Sequence, residues 1–140
     1  MPPKPTIYLA SDHAGYHLKK RVARHLKNEL QFPFKDMGPK KFDAEDDFPD
    51  YIVPAAKATV KNNGRAIFIC GSGIGACIVA NKVKGMYAAL AYNIEAAELS
   101  RKHNNANGLC LAGRVLTEEH ALAIVKKWLN TEFSGIEKYA

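Results

Sequence analysis

A cysteine followed directly by a glycine-rich turn is the segment of this chain best suited to chemistry. Cys70 ends an apolar run, and Gly71-Ser72-Gly73-Ile74-Gly75 follows it at once. The run predicts a buried strand and the residues after the turn predict a helix, so the turn can direct backbone N–H groups at an anion. A thiol placed there can act as a base or nucleophile beside an oxyanion site. The same pattern also fits a tight strand-to-helix turn after an ordinary buried cysteine.

Further polar residues adjoin two other predicted strands. Asp12-His13 follows the first strand, His103-Asn104 precedes the last, and Arg114 follows the last. Ligands of parallel α/β sheets bind at the carboxyl ends of the strands, so we expect Asp12 and His13 to lie at the same edge as Cys70. His103 is expected to gather with Cys70 and Asp12 at the strand ends. Taken singly, Asp12 is also a typical helix cap and His13 a typical surface residue. His103-Asn104 is likewise a typical helix C-terminus.

The remaining histidines and acidic residues have structural interpretations. His17, His25 and His120 lie within predicted helices. An acidic segment between the second strand and the second helix could hold a hard cation, but it lacks calcium-loop spacing and is interpreted as a solvated loop. Its carboxylates belong to Asp43, Glu45, Asp46, Asp47 and Asp50.

Alternating apolar and amphipathic segments predict about five strand–helix units. Strands are expected at 5–10, 32–37, 66–70, 86–91 and 109–112. Helices are expected at 14–30, 51–63, 76–83, 94–103 and 118–130, with Thr117 as the last N-cap and Asn63-Gly64 as a C-terminal stop. Near-continuous apolar strands indicate a parallel sheet covered on both faces. The fold class is therefore α/β: residues 1–140 form a single Rossmann-like, three-layer αβα sandwich with a five-stranded parallel sheet.

Composition narrows the class of protein. The chain has 140 residues, a net charge of +6 and three cysteines without a CxxC pair, which favours a cytoplasmic protein with free thiols and no metal. A disulfide between Cys70 and Cys77 is not expected, because their Cα atoms should lie beyond ~7 Å. The basic clusters lack interleaved aromatic residues, so we expect a small phosphorylated substrate rather than nucleic acid. No apolar run approaches the ~20 residues of a membrane span.

Several motifs together resemble one family, the ribose-5-phosphate isomerase B family with its related galactose-6-phosphate isomerase subunits. The resemblance extends from Thr6 to Gly135, and the combination is far more specific than any single motif. The motifs, in the family's order and spacing, are Asp12-His13-Ala14-Gly15, Cys70-Gly71-Ser72-Gly73-Ile74-Gly75, Ala80-Asn81-Lys82, Ser100-Arg101-Lys102-His103-Asn104 and Gly113-Arg114.

The resemblance implies a metal-free and cofactor-free aldose–ketose isomerisation. Family members interconvert ribose 5-phosphate and ribulose 5-phosphate through an enediolate, in the non-oxidative pentose phosphate pathway. Cys70 would move the proton between the two sugar carbons, a role that a thiolate at a helix N-terminus can fill. The amides of Gly71, Gly73, Ile74 and Gly75 would hold the reacting oxygens.

The resemblance also assigns roles to the other motifs. Ser72 would relay protons, Asp12 with His103 would open the sugar ring, and Asn104 would bind a sugar hydroxyl. His13 and Arg114 would bind phosphate. The site would lie between two subunits, with the His103 and Arg114 segment coming from the second, so a homodimer is the minimum unit and tetramers also occur in the family.

Two positions depart from the family pattern. Phe48-Pro49 stands where a tyrosine-proline pair is usual, and Glu137 stands where the family supplies a phosphate-binding arginine. Loss of a bidentate arginine would weaken phosphate binding and widen substrate choice. Lys138 is a candidate replacement. A six-carbon substrate, allose 6-phosphate or galactose 6-phosphate, remains an alternative, as does a non-catalytic sugar-phosphate sensor.

Overall fold

Five parallel strands form one sheet in the computed structural model, which describes residues 3–41 and 49–135. The strand order is β2-β1-β3-β5-β4. The strands are β1 Ile7–Ser11, β2 Phe34–Asp36, β3 Arg65–Cys70, β4 Ala88–Leu90 and β5 Gly108–Ala112. The helices are α1 Tyr16–His25, α2 Pro49–Lys61, α3 Ile74–Asn81, α4 Ile94–Lys102 and α5 Glu118–Leu129. The predicted α/β class and the five-stranded parallel sheet are confirmed.

The sheet is buried because its central strands are apolar on both faces. Alternate residues of a strand point to opposite faces, and in β3 Ile67 and Ile69 enter one core while Phe68 and Cys70 enter the other. The first core is closed by α1, α4 and α5, and the second by α2 and α3. Trp128 of α5 is fully buried in the first core. This arrangement gives three layers, with Cys70 on the α2–α3 side.

The chain changes direction between β1 and β3, which lie side by side although β2 separates them in sequence. From β1 the chain passes to β2 on one side and then returns to β3 on the other. At such a switch point the loops that follow the strands diverge and leave a crevice at the carboxyl ends. Asp12 follows β1 and Gly71 follows β3, so both loops border this crevice.

Several element boundaries differ from the predicted ones. The predicted helix 14–30 is divided into a 3₁₀ turn, His13–Gly15, the α-helix α1 and a π-helical turn, Leu26–Leu30. Both edge strands, β2 and β4, are only three residues long. Helix α3 begins at Ile74, earlier than expected, because Gly73 takes a left-handed conformation and turns the chain at once. Thr117 caps α5 as predicted, its side chain accepting a hydrogen bond from His120 N.

A buried lysine anchors the loop that follows β2. Lys19 Nζ lies 2.6 Å from Asp36 Oδ1 and donates to the carbonyl of Pro39, also at 2.6 Å. Burial lowers the pKa of Lys19, an effect that its hydrogen bond to Asp36 opposes.

None of the helices among the described residues combines the length and the apolar character that a membrane span requires.

Candidate active site

The Cys70 thiol is held at the centre of the glycine-rich turn. Its Sγ accepts a hydrogen bond of 3.2 Å from the backbone N–H of Gly73, and the residue is only 5% exposed. Gly73 has φ 78°, and a Cβ there would lie 2.6 Å from Leu90 Cδ1 and 3.2 Å from the Leu111 carbonyl. Only glycine suits this backbone and this space. The sequence therefore places glycine where the chain must fold back to bring an N–H to the sulfur.

Three loops meet around this turn through backbone hydrogen bonds. Asp12 N donates to Ile69 O at 3.2 Å, Gly113 N to Cys70 O at 2.8 Å, and Arg114 N to Gly71 O at 3.0 Å. Together they border a cleft of about 450 Å³ at the carboxyl ends of the strands. The cleft is lined by Asp12, Cys70, Gly71, Ser72, Gly75, Arg114 and Val115. The structure thus brings together four of the predicted side chains, those of Asp12, Cys70, Ser72 and Arg114.

Asp12 and His13 lie at the predicted edge of the sheet. Asp12 Oδ1 accepts a hydrogen bond of 3.0 Å from Gly15 N and caps the turn that His13 begins. Gly15 must be glycine here, since a Cβ would lie 2.5 Å from Ile69 O. The cap interpretation of Asp12 is therefore confirmed, and the same residue also lines the cleft.

The turn uses two of the amides that the sequence assigns to the reacting oxygens. Gly73 N donates to Cys70 Sγ, and Ile74 N donates to Ser72 Oγ at 3.2 Å. Gly71 and Gly75, at the two ends of the turn, line the cleft. The first turn of α3 contributes its positive dipole end at Gly75. Gly73 N and Ile74 N are thus engaged within the turn. The prediction that backbone amides hold the reacting oxygens therefore applies to Gly71 and Gly75, with the start of α3.

Arg114 requires a correction. The resemblance assigns its segment to a second subunit, but here it lies in the cleft of the same chain as Cys70. A Cβ on Gly71 would be 3.3 Å from Arg114 Cδ and 3.5 Å from Nη1. The physical reason is the sheet order: β5 pairs directly with β3, so the loops after these two strands are neighbours.

His103 and Asn104 do not lie with Cys70 and Asp12 at the carboxyl edge, so the expectation that His103 gathers with those two residues is wrong within a single chain. His103 is the C-cap of α4, and its N–H donates a hydrogen bond of 2.9 Å to Leu99 O. This confirms the interpretation of His103-Asn104 as a helix C-terminus. Because α4 runs antiparallel to the strands, this loop lies where β5 begins, at the opposite end of the sheet from Cys70. A larger cleft of about 790 Å³ at that end includes Asn105 and Arg101.

Tyr92 is a site-supporting residue that the sequence did not reveal. It follows β4, and its hydroxyl donates a hydrogen bond of 2.7 Å to the carbonyl of Ser72. The side chain thus fixes the middle of the turn from the adjacent loop. A lone tyrosine after an apolar strand carries no signal of this contact, which depends on β4 lying next to β5.

Some predicted positions lie outside the described residues: Lys138, Glu137, Phe48 and the acidic residues 43–47. Asp50 belongs to the first turn of α2. His17 and His120 lie on α1 and α5, and His25 ends α1, in accord with their structural interpretations. Among the described residues there is no group of three or more metal-ligating side chains.

Comparison with known proteins identifies relatives over almost the whole chain. The model of a family described as Ribose/Galactose Isomerase matches residues 7–140. A probable ribose-5-phosphate isomerase B of Mycoplasma genitalium is 46% identical over 131 residues, covering 92% of this chain and 86% of that protein. The ribose-5-phosphate isomerase B of Mycobacterium tuberculosis is 42% identical over 134 residues, covering 95% and 82%.

Solved structures agree with the sequence relatives. A crystal structure of ribose-5-phosphate isomerase B from Mycoplasma genitalium, with bound ribulose 5-phosphate, superposes with a TM-score of 0.91 at 45% identity. It covers 94% of this chain and 88% of that chain. A ribose-5-phosphate isomerase B from Clostridium thermocellum gives a TM-score of 0.89 at 41% identity, with the same coverage of 94% and 88%.

Proposed function

The chain belongs to the ribose/galactose isomerase family, and from that membership we propose that it is an isomerase interconverting ribose 5-phosphate and ribulose 5-phosphate. The observation that carries the proposal is the Cys70 thiol, bonded by Gly73 N–H, in a cleft that Asp12, Ser72 and Arg114 also line. A relative of similar fold binds ribulose 5-phosphate. The reaction places the protein in the non-oxidative pentose phosphate pathway, for which a cytoplasmic location is proposed.

Cys70 acts as the acid/base of the isomerisation. Its thiolate removes the proton from C2 of the open-chain aldose, and the electron pair passes to the C1 oxygen to form an enediolate. The resulting thiol returns the proton to C1, while the proton of the C2 hydroxyl passes through Ser72 to the C1 oxygen, which yields the ketose. General acid–base catalysis of this kind contributes roughly 10²–10⁴-fold, and no metal or cofactor is needed to balance the step.

The backbone at the ends of the turn stabilises the enediolate. Gly71 and Gly75 line the cleft, and the start of α3 adds the positive end of its dipole. Each well-placed donor is worth roughly 3 kcal/mol in the transition state. Gly73 and Ile74 contribute indirectly by fixing Cys70 and Ser72, whose hydroxyl relays protons among the substrate oxygens.

Ring opening needs a second copy of the chain. Asp12 lines the cleft, but His103 and Asn104 of the same chain lie at the far end of the sheet. In the proposed homodimer, His103 of one copy works with Asp12 of the other to open the furanose ring, and Asn104 binds a sugar hydroxyl. Dimers that pair into tetramers would leave this arrangement unchanged.

Exposed apolar residues around the turn support the dimer. Ile74 and Ile78 are 48% and 55% exposed on one face of α3, since residues four apart lie on the same side of a helix. Val115, in the cleft wall, is 59% exposed, and Tyr92 is 39% exposed. Apolar side chains that surround a polar cleft are typical of a protein–protein interface.

Phosphate binding is assigned to His13 and Arg114. Among the described residues that line the cleft, Arg114 supplies the positive charge. Lys138 is proposed to add a second cation in place of the family's arginine. Residues 1–140 are proposed to act as one isomerase domain, supported by a single sheet whose strands span 7–112 and by a family match over 7–140.

A coupled isomerase assay on ribose 5-phosphate, allose 6-phosphate and galactose 6-phosphate tests the proposal. We expect the highest kcat/KM with ribose 5-phosphate. A clear preference for a six-carbon sugar phosphate would change the proposed substrate but not the proposed isomerisation. Tight binding of ribose 5-phosphate without turnover of any of the three sugars would instead indicate a sensor.

A further inference from the structure

A buried arginine in the last turn of α4 has no part in the proposed reaction as described so far. Arg101 is only 4% exposed, although its side chain carries a full charge. Burial lowers its pKa to about 10, with a further contribution from the charge of Arg65 and against the effect of Glu132. The guanidinium therefore stays protonated at neutral pH. A buried charge is tolerated only where hydrogen bonds replace the water that it has lost.

The guanidinium of Arg101 joins two segments of the chain. One is the 103–107 loop, which links α4 to β5, and the other follows α5. Nη1 donates hydrogen bonds of 2.9 Å to Asn105 Oδ1 and of 2.7 Å to the carbonyl of Ala106. Nε donates a hydrogen bond of 3.1 Å to the carbonyl of Thr131. Because all three acceptors are neutral, the side chain holds these segments together by hydrogen bonds and not by an ion pair.

Both segments that Arg101 joins have further hydrogen bonds. The Thr131 hydroxyl donates to Lys127 O of α5 at 2.6 Å. On the loop side, Asn105 N donates to Arg101 O at 3.2 Å, so the two residues bond to each other twice. Asn105 has φ 50°, in the left-handed region that a residue with a Cβ adopts at a cost. The bond from Nη1 to its side chain helps to stabilise that conformation.

His103 and Asn104 lie between the two residues that bond to each other, Arg101 and Asn105. The direction in which their side chains leave the backbone therefore depends on this contact. In the proposed reaction both side chains must reach the cleft of a second copy. Misplacement of a reacting group by about 1 Å can cost about 100-fold in rate, so such a loop needs a rigid support.

We propose that Arg101 is a positioning residue, whose guanidinium fixes the 103–107 loop so that His103 and Asn104 enter the cleft of the second copy in one orientation. This proposal rests on the proposed function, in particular on ring opening by His103. Arginine suits the task because its planar group directs N–H donors from several nitrogens, whereas lysine carries all its donors on one nitrogen.

The two pentose phosphates differ in their need for ring opening. Ribose 5-phosphate is a furanose, and opening breaks the bond between C1 and the C4 oxygen while the proton of the C1 hydroxyl passes to that oxygen. Ribulose 5-phosphate is acyclic, because the oxygen that would close its ring carries the phosphate. The open-chain aldose made from it closes spontaneously after release, so the two directions need not slow together. A misplaced His103 therefore slows the aldose more than the ketose.

Initial rates in both directions test the proposal. Arg101→Ala should lower kcat/KM for ribose 5-phosphate about 10- to 100-fold, and kcat/KM for ribulose 5-phosphate much less. Arg101→Lys should lie between Arg101→Ala and the wild type. Ser100→Ala is the matched control, since it removes a buried hydroxyl that bonds to Ala97 O within α4, and should leave both directions unchanged. Equal losses in both directions, or no loss, in Arg101→Ala would overturn the proposal.

Asn105→Gly tests the same contact with a smaller change. Asn105 is exposed, and glycine adopts φ 50° without strain, so this variant should fold even if Arg101→Ala does not. It loses the acceptor of one Arg101 hydrogen bond and should also slow ribose 5-phosphate more than ribulose 5-phosphate, by a smaller factor. Wild-type rates in both directions, or equal losses in both, would contradict the proposal.

His103→Ala separates this proposal from the proposed function. It should slow ribose 5-phosphate far more than ribulose 5-phosphate. If His103→Ala shows this difference and Arg101→Ala does not, the role of Arg101 is wrong and the proposed function stands. If the wild type turns over neither sugar, the proposed function is wrong, and the role of Arg101 with it.

Mixed dimers carrying two different tags show which copy Arg101 serves. When Cys70→Ala in one copy is paired with Arg101→Ala in the other, one site has both an intact Cys70 and an intact loop, so about half of the wild-type activity should remain. When Arg101→Ala is paired with His103→Ala, neither site has both, and activity should not exceed that of the Arg101→Ala homodimer. Low activity in the first pairing, or half of the wild-type activity in the second, would contradict the proposal.

Discussion

Cys70 and His103 lie at opposite ends of the parallel sheet within one chain. Cys70 closes β3 at its carboxyl end, whereas His103 precedes β5 at its amino end, and β3 and β5 are paired neighbours. Because β5 has five residues, Cys70 and His103 lie about 15 Å apart along the strand direction. A reaction that needs both side chains must therefore combine two copies of the chain.

The first prediction concerns this shared site. Cys70→Ala and His103→Ala should each abolish turnover of ribose 5-phosphate. A mixed dimer, isolated after co-expression with two different tags, should recover about half the wild-type activity, since one of its two sites contains no substitution. An inactive mixed dimer, or failure to isolate any doubly tagged species, would contradict a site built from both copies.

The second prediction separates two glycines of the same turn. Gly73→Ala should lower stability and abolish activity, because φ 78° costs about 1–2 kcal/mol in a residue with a Cβ and that atom would lie 2.6 Å from Leu90. Gly71→Ala should fold normally, since its Cβ meets the flexible Arg114 side chain at 3.3 Å. Thermal unfolding of both variants checks the difference. Equal melting temperatures would argue against the proposed turn geometry.

The third prediction concerns Tyr92. Tyr92→Phe removes the 2.7 Å hydrogen bond to the Ser72 carbonyl but keeps the ring. A loss of about 1 kcal/mol in the transition state corresponds to a fall in kcat of about fivefold, with little change in KM. Tyr87→Phe is the matched control, because Tyr87 is 65% exposed at the other end of the sheet. Identical kcat values for Tyr92→Phe and Tyr87→Phe would contradict the positioning role of Tyr92.

The fourth prediction concerns the buried lysine. Lys19→Ala removes the partner of Asp36 and the donor to Pro39 O, so unfolding in urea should show a loss of about 3 kcal/mol. Lys20→Ala is the control: Lys20 is 45% exposed, 3.8 Å from Asp36, and its loss should cost less than about 1 kcal/mol. If the two variants were equally stable, the loop would not depend on the buried pair.

Much of the fold could be predicted because local patterns determine it. The apolar runs around Ile7, Ile67 and Leu109 are central parallel strands, and Thr117 and Gly73 carry direct signals of a cap and a turn. Strand order leaves no such local signal. Because β5 pairs with β3, the loop after β5 places Arg114 in the same cleft as Cys70, whereas His103, which precedes β5, lies at the other end of the sheet.

Contacts between residues far apart in sequence also leave no local signal, which explains why the roles of some residues could not be predicted. Tyr92 reaches Ser72 across 20 positions, and Lys19 reaches Asp36 across 17. Cys77 packs against the core that contains Cys110 because α3 covers that face of the sheet. Such contacts follow from the packing of layers and not from periodicity.

The most direct test of the account is the activity of Cys70→Ala beside Cys77→Ser, two cysteine substitutions on the same side of the sheet. In the ribose 5-phosphate assay, Cys70→Ala should lose at least about 10²-fold in kcat while still binding ribulose 5-phosphate by calorimetry. Cys77→Ser should match the wild type. Turnover by Cys70→Ala at the wild-type rate would contradict the assignment of Cys70 as the base.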